Sequence, residues 1–279
     1  MQLNIDYHFH PNLSINNLLA QKKVKKIRKK FTEKNINCIL STEHSYKNPQ
    51  RAYQIMNKYK PSGYFCFPGM ECITKDGIDI IVFSYDKKIF KYEELKPFRL
   101  TYFELIDFIK SKNDLYSFVT HPYSLNLSGV VSKLGQSQYK TSLQLLKAVE
   151  ISNGAFDNFY LFLKKTPLNK IFHKKIDKIL KTKTIPVNDY SGDLDFIAVG
   201  SDAHHINEIG NCCSIYFDGE YTDCSVFEAI TTRHKHFQIN FNQLNNIDWN
   251  MLLRSGLTSF QEFLLKKYYK YTTGILANN

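Results

Sequence analysis

Two histidines near the start of the chain have a spacing that suits metal binding. His8 and His10 flank Phe9 at the end of Leu3–His8, a segment predicted to be a strand. Because side chains alternate between the two faces of a strand, both imidazoles point to one face and Phe9 points to the other. Two imidazoles that converge at a strand end supply half of a metal site. The HxH pair alone is a weak signal, so the rest of the chain must supply the other ligands.

The same pattern recurs where other predicted strands end. Each of these places carries a histidine or a carboxylate, namely Glu43-His44, Glu71, His121, Glu150, and Asp202 with His204. In a parallel barrel the strand ends lie on one rim, where such folds build their active sites. We therefore expect these side chains to meet around one cleft. Mixed imidazole and carboxylate ligands suit Zn, Fe or Mn better than Mg or Ca.

Short strands alternate with amphipathic helices along most of the chain. The predicted strands are Leu3–His8, Ile36–Leu40, Tyr64–Phe67, Ile78–Tyr85, Leu115–Val119, Lys147–Ile151, Phe196–Val199 and Cys213–Phe217. The predicted helices are Asn16–Thr32, Gln50–Lys58, Tyr102–Lys110, Thr141–Leu146, Asn158–Lys181 and Ser225–Thr232. In the first helix Val24, Ile27 and Phe31 share one face, as a core-facing stripe requires. This alternation predicts parallel βαβ units and hence an α/β sheet or barrel.

The C-terminal segment is set apart from this alternation. A chain of 279 residues suggests one or two domains. We predict a barrel domain over 1–240 and a helical extension over 241–279. Within Asn250–Ile275, one helical face would carry Leu252, Leu253, Leu257, Phe260, Phe263 and Leu264. Such a helix either packs on the barrel or docks on a partner or a membrane surface.

Charge and composition narrow the class of partner. The net charge of +11 favours anionic partners such as phosphates, nucleic acid or anionic lipid, without deciding among them. The lysine-rich stretches at 22–30 and 164–183 are either solvated helix faces or a track for nucleic acid, whose binding would weaken with salt.

Other sequence signals are mostly negative. No apolar run resembles a signal peptide or approaches the ~20 residues of a membrane span. The six cysteines lack CxxC spacing, which argues against a zinc finger and is typical of reduced cytoplasmic thiols.

The ordered set of motifs resembles the PHP (polymerase and histidinol phosphatase) family of metal-dependent phosphoesterases. The matching segments are YHFH (7–10), STEH (41–44), PGMEC with DGIDIIVF (68–83), THPYS (120–124), VEISNG (149–154) and GSDAHH (200–205). The likeness runs over about 1–240 and leaves the C-terminal segment outside. Amidohydrolases of the phosphotriesterase type also begin with HxH, but they lack an early bridging glutamate, so PGMEC and GSDAHH argue against them.

The resemblance implies a fold and a set of ligands. The fold would be a distorted (β/α)7 TIM-like barrel with two or three divalent ions, Mn, Fe or Zn, at the C-terminal ends of the strands. Carried over by position, the ligands of one ion would be His8, His10, Glu71 and Asp202. Glu71 would bridge to a second ion that His121 also binds, while His44 and His204 would serve a third.

The sequence departs from the family pattern at several positions. Glu43 stands where the family usually has Asp, and Asp79 stands where many members have a histidine for the second ion. Ser124 follows His-Pro-Tyr where phosphatase members often have Arg. The segment after His10 offers no further His or Asp, which leaves the number of ions at two or three. The candidate ligands are His8, His10, Glu43, His44, Glu71, Asp79, His121, Asp202 and His204.

These observations predict a hydrolase that acts on phosphoric ester bonds with metal-activated water. Asp202 or His204 would relay a proton to the leaving oxygen, and Glu43 would orient the cluster. The substrate would be a phosphorylated small molecule, a nucleotide or a nucleic acid. One alternative is a nuclease that works beside a partner ATPase or polymerase. Another is a non-catalytic metal-containing module that joins an assembly through its C-terminal helix.

Overall fold

The computed structural model describes residues 2–124, 128–167, 169–171, 173–174, 177, 194–216, 219–232, 237–240 and 264–272. Within these residues the strands are β1 (Gln2–Phe9), β2 (Cys38–Ser41), β3 (Phe65–Ile73), β4 (Asp79–Phe83), β5 (Tyr116–Phe118), β6 (Ala148–Asn153), β7 (Phe196–Gly200), β8 (Cys212–Tyr216) and β9 (Phe237–Asn240). The helices are α1 (Asn17–Glu33), α2 (Pro49–Lys58), α3 (Tyr102–Lys110), α4 (Val130–Leu146), α5 (Gly154–Lys165), α6 (Asp223–Thr231) and α7 (264–272). Single turns of 3₁₀ helix lie at Lys87–Lys91, Glu93–Leu95 and Ile206–Glu208.

Strands β1 to β7 follow one another around a ring. One sheet has the order β5-β4-β3-β2-β1-β8-β9, and β6 and β7 form a separate parallel pair. Isolated bridges between Val119 and Val149, and between Phe9 and Ala203, join this pair to β5 and β1. The predicted α/β class is confirmed by this architecture.

The direction of β4 corrects the predicted parallel alternation. β1, β2 and β3 are parallel, but β4 is antiparallel to both β3 and β5. The turn between β3 and β4 is too short for the crossover that a parallel connection needs. The prediction of parallel units throughout is therefore wrong at β4, and also at β8, which is antiparallel to β1. Because Asp79 begins β4 and pairs with Ile73 at the end of β3, it still lies at the rim where the parallel strands end.

Two helices differ by more than two residues from their predicted bounds. α4 begins at Val130 rather than Thr141, and Gly135 inside it has a left-handed φ of 86°. Because this kink interrupts the helical period, the apolar spacing in the sequence does not reveal the turns that precede it. The long basic helix predicted over 158–181 is interrupted, because α5 ends at Lys165 and Pro167 follows. Proline lacks an N–H and clashes with the preceding turn, so it ends a helix. Residues 168, 172, 175–176 and 178–181 of that prediction lie outside the described residues.

Apolar side chains from every ring strand fill the interior. They include Leu3, Ile5, Tyr7, Leu40, Phe67, Phe83, Phe118, Ala148 and Phe196. α6 covers one end of this core, where the Tyr7 hydroxyl donates to the Ile230 carbonyl at 2.8 Å. Outside the ring, α1 buries Val24, Ile27 and Phe31 against the strands, as predicted. The Asn16 side chain caps this helix by accepting from the amides of its first turn.

None of the helices in the described ranges combines the length and the apolar character that a transmembrane span requires.

Candidate metal centre

A register shift in β1 turns His8 and His10 into the ring. Asp6 pairs with Ile39 and Phe9 pairs with Ser41, so β1 has one more residue than β2 over this stretch. Tyr7 belongs to the interior core, whereas Phe9 packs outside among the residues that contact α1. Because of the extra residue, Tyr7 and Phe9 lie on opposite faces of the sheet although they are two positions apart. His8 and His10 therefore point to the interior face, the same face as the aromatic core.

Asp6, Gly200 and Ser201, which are not among the candidate ligands, hold this bulge. The buried Asp6 carboxylate accepts from the amides of His8 at 3.1 Å and Ser201 at 2.9 Å, and from the Ser201 hydroxyl. Gly200 lies so close to β1 that a Cβ there would overlap the Cβ of His8. Burial raises the pKa of Asp6 to about 7. In the sequence Asp6 lies between Ile5 and Tyr7, on the polar face of an alternating segment, so nothing there marks it as buried.

A second bulge, in β6, positions Glu150 and Asn153. The register shifts between Glu150 and Ser152, next to the cluster. Glu150 accepts from His8 Nδ1 at 3.0 Å and from the His121 amide at 2.7 Å. Asn153 Nδ2 donates to Glu150 and, at 3.1 Å, to Asp202. Glu150 and Asn153 thus orient other members of the cluster through hydrogen bonds.

Two members of the cluster have left-handed backbone conformations. The φ of His121 is 24° and that of Asp202 is 48°, values that are uncommon outside glycine. The Asp202 amide donates to the His8 carbonyl at 2.7 Å, which helps to hold the turn. Strained residues of this kind cluster at functional sites, where the surrounding structure enforces them.

At the centre of the cluster two imidazoles face each other. His8 Nε2 lies 2.9 Å from His10 Nε2. Asp202 Oδ1 lies 3.1 Å from His10 Nε2 and 3.4 Å from His8 Nε2. These nitrogen and oxygen atoms converge on one point, which is the arrangement that a shared cation would require.

Glu71 links this centre to the other histidines. It was expected just after a strand, but it lies inside β3, which continues to Ile73. One carboxylate oxygen lies 3.2 Å from His121 Nε2 and the other lies 2.6 Å from His44 Nδ1. His44 Nε2 in turn lies 3.2 Å from His204 Nε2. Glu71 therefore reaches both sides of the cluster, as a bridging carboxylate would.

Burial and charge set the protonation states. Burial lowers the pKa of His10 to about 3, and the neighbouring His44 and His204 add to this effect. Burial also opposes charge on His8 and Glu71, but opposite charges outweigh it. Asp202 and Glu150 raise the pKa of His8 well above its usual value, and His44 and His121 lower the pKa of Glu71. His10 is therefore neutral, as a metal ligand must be, whereas the raised pKa values of His8 and His121 mean that these two would release a proton when a metal binds.

The donor atoms fit divalent metal ions. Three groups have ligand atoms within 4.8 Å of one another: His10, His44 and His204; His8, His10 and Glu71; and Glu71, Asp79 and His121. His10 and Glu71 each belong to two groups. Asp79 Oδ1 is buried and has no hydrogen-bond partner among the residues that the structure describes. The imidazole–carboxylate chemistry suits Zn, Fe or Mn.

The structure brings all nine candidate ligands into one region. Seven of them form the three groups. Asp202 lies beside His8 and His10 without being a member of a group. Glu43 lies at the edge, where it accepts from the Asn12 amide at 2.6 Å and lies 3.8 Å from His10 Nδ1.

The fold and this cluster define an α/β protein with buried groups of side chains that suit metal ions. No protein-family profile and no curated protein matches the chain. The crystal structure of PsfC from Pseudomonas syringae PB-5123 is similar, with a TM-score of 0.61 and 14% sequence identity over 92% of this chain and 97% of that chain. A crystal structure of Endonuclease Q, in complex with a 27-mer duplex substrate that has an abasic lesion at the active site, matches with a TM-score of 0.47 and 14% identity. That match covers 80% of this chain and 55% of Endonuclease Q. The likeness to PsfC is one of fold.

Proposed function

We propose that this protein is a metal-dependent phosphoesterase with a PHP-type site. The observation that carries the proposal is the set of three overlapping ligand groups, which share His10 and Glu71. Two or three ions bound there would activate a water molecule and stabilise the attacking and leaving oxygens of phosphoryl transfer. The ring of seven strands supports a distorted (β/α)7 barrel over 1–240, with 241–279 as an extension.

Lysines beside the cluster favour an anionic substrate. Lys47 Nζ lies 3.5 Å from Glu43 Oε1 at the edge of the cluster. Lys23 Nζ donates to the Asn12 carbonyl at 2.8 Å, beside the same glutamate. Cationic groups at the entrance of a cleft attract phosphate groups and speed their arrival.

Chain residues can supply the proton transfers. His204 Nδ1 lies 3.0 Å from the Asp202 carbonyl oxygen, and its side chain is partly exposed at 15%. Its position between the buried histidines and solvent suits a group that passes a proton to a leaving oxygen. Glu43, held by the Asn12 amide and Lys47, would orient His10.

The test is hydrolysis by the Mn-loaded protein of a panel of mononucleotides, sugar phosphates and oligonucleotides. We expect release of phosphate or nucleotide from at least one substrate. Chelation should abolish this activity. Asp202→Ala should lower it by at least ~100-fold, since loss of a residue that only hydrogen-bonds to a metal ligand already lowers metal affinity or activity by 10–100-fold. Asp195→Ala is the matched control, because Asp195 is exposed and precedes β7 at its opposite end. Activity that survives both chelation and Asp202→Ala would refute the proposal.

A nuclease is the second candidate, because the basic face of α1 leads to the site. Lys22, Lys25, Lys26 and Lys29 are exposed on this helix, and Lys23 reaches Asn12 at the edge of the cluster. The nuclease hypothesis predicts binding of single-stranded oligonucleotides that weakens steeply as the salt concentration rises. It also predicts cleavage of an end-labelled oligonucleotide, and no cleavage with any metal would count against it. Bound metal without any turnover would instead favour the non-catalytic module.

The six cysteines are free thiols in the structure, which supports a reducing compartment such as the cytoplasm.

A further inference from the structure

The C-terminal helix α7 contacts the candidate metal centre through two side chains. Lys266 Nζ donates to Asp79 Oδ2 at 3.1 Å. The Tyr269 ring lies 6.2 Å from the Tyr46 ring, and Tyr46 stacks on the ligand His44 at 4.7 Å. Lys266 Nζ also lies 5.8 Å from the centroid of Tyr46. These contacts belong to residues 264–272, where Leu264 of the predicted apolar face is exposed, whereas the predicted apolar residues from Leu252 to Phe263 lie outside the described residues.

The two oxygens of Asp79 face different groups. Oδ1 is buried and belongs to the ligand group with Glu71 and His121. Oδ2 accepts from Lys266. The Lys266 side chain is 26% exposed, whereas that of Asp79 is 4% exposed. The ammonium group therefore lies closer to solvent than the buried carboxylate that it contacts.

An ammonium group at this position can interact with the Asp79 carboxylate and with a phosphate oxygen at the same time. Lysine carries three N–H donors and acts as a compact point charge, which is why it commonly binds phosphate. Asp79 accepts a hydrogen bond from this ammonium group, which is partly exposed. The low local dielectric beside buried ligands strengthens the attraction between the ammonium group and an incoming phosphate oxygen.

On the basis of the proposed function, we propose that Lys266 binds a phosphate oxygen of the substrate. α7 would then be part of the active site, because it brings this cation to the Glu71–Asp79–His121 side of the cluster. The phosphate group would be held between Lys266 and the ligand residues. A lysine whose role is only to attach α7 to Asp79 would have no effect on phosphate affinity beyond any effect on the metal.

The test measures binding of inorganic phosphate to the Mn-loaded full-length protein by isothermal titration calorimetry, which requires no turnover. We expect Lys266→Met to weaken phosphate binding by at least about tenfold, the size expected for loss of a hydrogen bond to a charged group. Mn affinity should stay close to that of the wild type. Lys266→Arg should largely restore phosphate binding, since the cation is retained. Lys267→Met, which removes an exposed lysine from the same helix, is the matched control.

Several outcomes separate the two proposals. Unchanged phosphate affinity in Lys266→Met, or absence of phosphate binding by the Mn-loaded wild type, overturns the role of Lys266. Loss of Mn together with phosphate in Lys266→Met also overturns it, because Lys266 would then only position Asp79. Wild-type protein that binds Mn and phosphate but hydrolyses no ester contradicts the proposed function alone. Circular dichroism and thermal unfolding of Lys266→Arg and Lys266→Met identify any variant that fails to fold.

Discussion

The two ends of the strand ring are both buried, yet they contain opposite kinds of side chains. At one end the rings of Tyr7, Phe83, Phe118 and Phe196 contact one another at centroid distances of 5.8 to 6.3 Å. At the other end imidazoles and carboxylates face each other at hydrogen-bond distances, as His8 and His10 do. The change from one environment to the other occurs between adjacent residues of β1, since Tyr7 contacts the aromatic rings and His8 contacts Glu150.

The aromatic end of the ring contributes mainly to stability, and the polar end contributes the groups that could do chemistry. Aromatic pairs in a core stabilise the fold through burial and ring contacts. Buried charges are costly unless partners neutralise them, and removing one partner leaves the other uncompensated. We infer that the aromatic end holds the strands together without metal, whereas the polar end gains stability when cations bind.

The largest effect is expected at the aromatic end. Phe118→Ala removes a fully buried ring that contacts Tyr7, Phe83 and Phe196. Truncation of a buried Phe typically lowers the free energy of unfolding by ~3–5 kcal/mol. Urea denaturation of the metal-free protein measures this loss, and the folded fraction should keep its Mn affinity. Leu18→Ala is the control, because Leu18 is 69% exposed and its loss should stay within ~0.5 kcal/mol. A Phe118→Ala protein that lost Mn binding while folded would contradict the separation of the two ends.

A smaller effect is expected when metal is added. Occupation of one site by Mn at a hundred times its Kd should raise the free energy of unfolding by about 2.7 kcal/mol, because Mn binds only the folded protein. His10→Ala should remove most of this gain, since His10 belongs to two of the three ligand groups. Thermal unfolding with and without a chelator measures the difference. His173→Ala is the control, because His173 is exposed. An equal gain in His10→Ala and in the wild type would show that Mn binds elsewhere.

The smallest effect on stability is expected at the contact between β7 and β1. Gly200→Ala should lower the free energy of unfolding by ~1–3 kcal/mol, as overpacking does. It should also weaken Mn binding, because the new Cβ would displace His8. Calorimetric titration with Mn measures the second effect. In Gly210→Ala the new Cβ would lie 3.4 Å from the flexible Lys34 side chain, so both quantities should stay near wild type. Similar results for the two variants would argue against a close contact at Gly200.

Local patterns predicted well where the clustered histidines and carboxylates lie. The spacing of His8 and His10 placed both on one face of a strand because alternation depends only on neighbouring residues. The stripe of Val24, Ile27 and Phe31 likewise predicted the buried face of α1. The gathering of ligands at strand ends followed from the expected parallel strands. It held because the strands of the ring other than β4 run in one direction. β4 runs the other way, but its ligand Asp79 is at its start and so lies at the same rim.

Other features depended on partners distant in the sequence. The bulge in β1 is held by Asp6 and Ser201, which are separated by 195 positions. The contact of Lys266 with Asp79 spans 187 positions. The extension of β3 past Glu71 required β4 as an antiparallel neighbour. Neither periodicity nor spacing within a segment carries information about such pairs.

The amino-acid sequence by itself determined which residues could bind metal, the α/β class and the approximate order of strands and helices. These depend on side-chain chemistry and on periodicities that each segment carries alone. Only the tertiary structure decided that the histidines point into the ring, that Asp79 reaches the rim from a reversed strand and that Lys266 lies at the cluster. Each of these results from close packing between segments far apart in the chain, where one added residue or one missing Cβ changes which side chains meet.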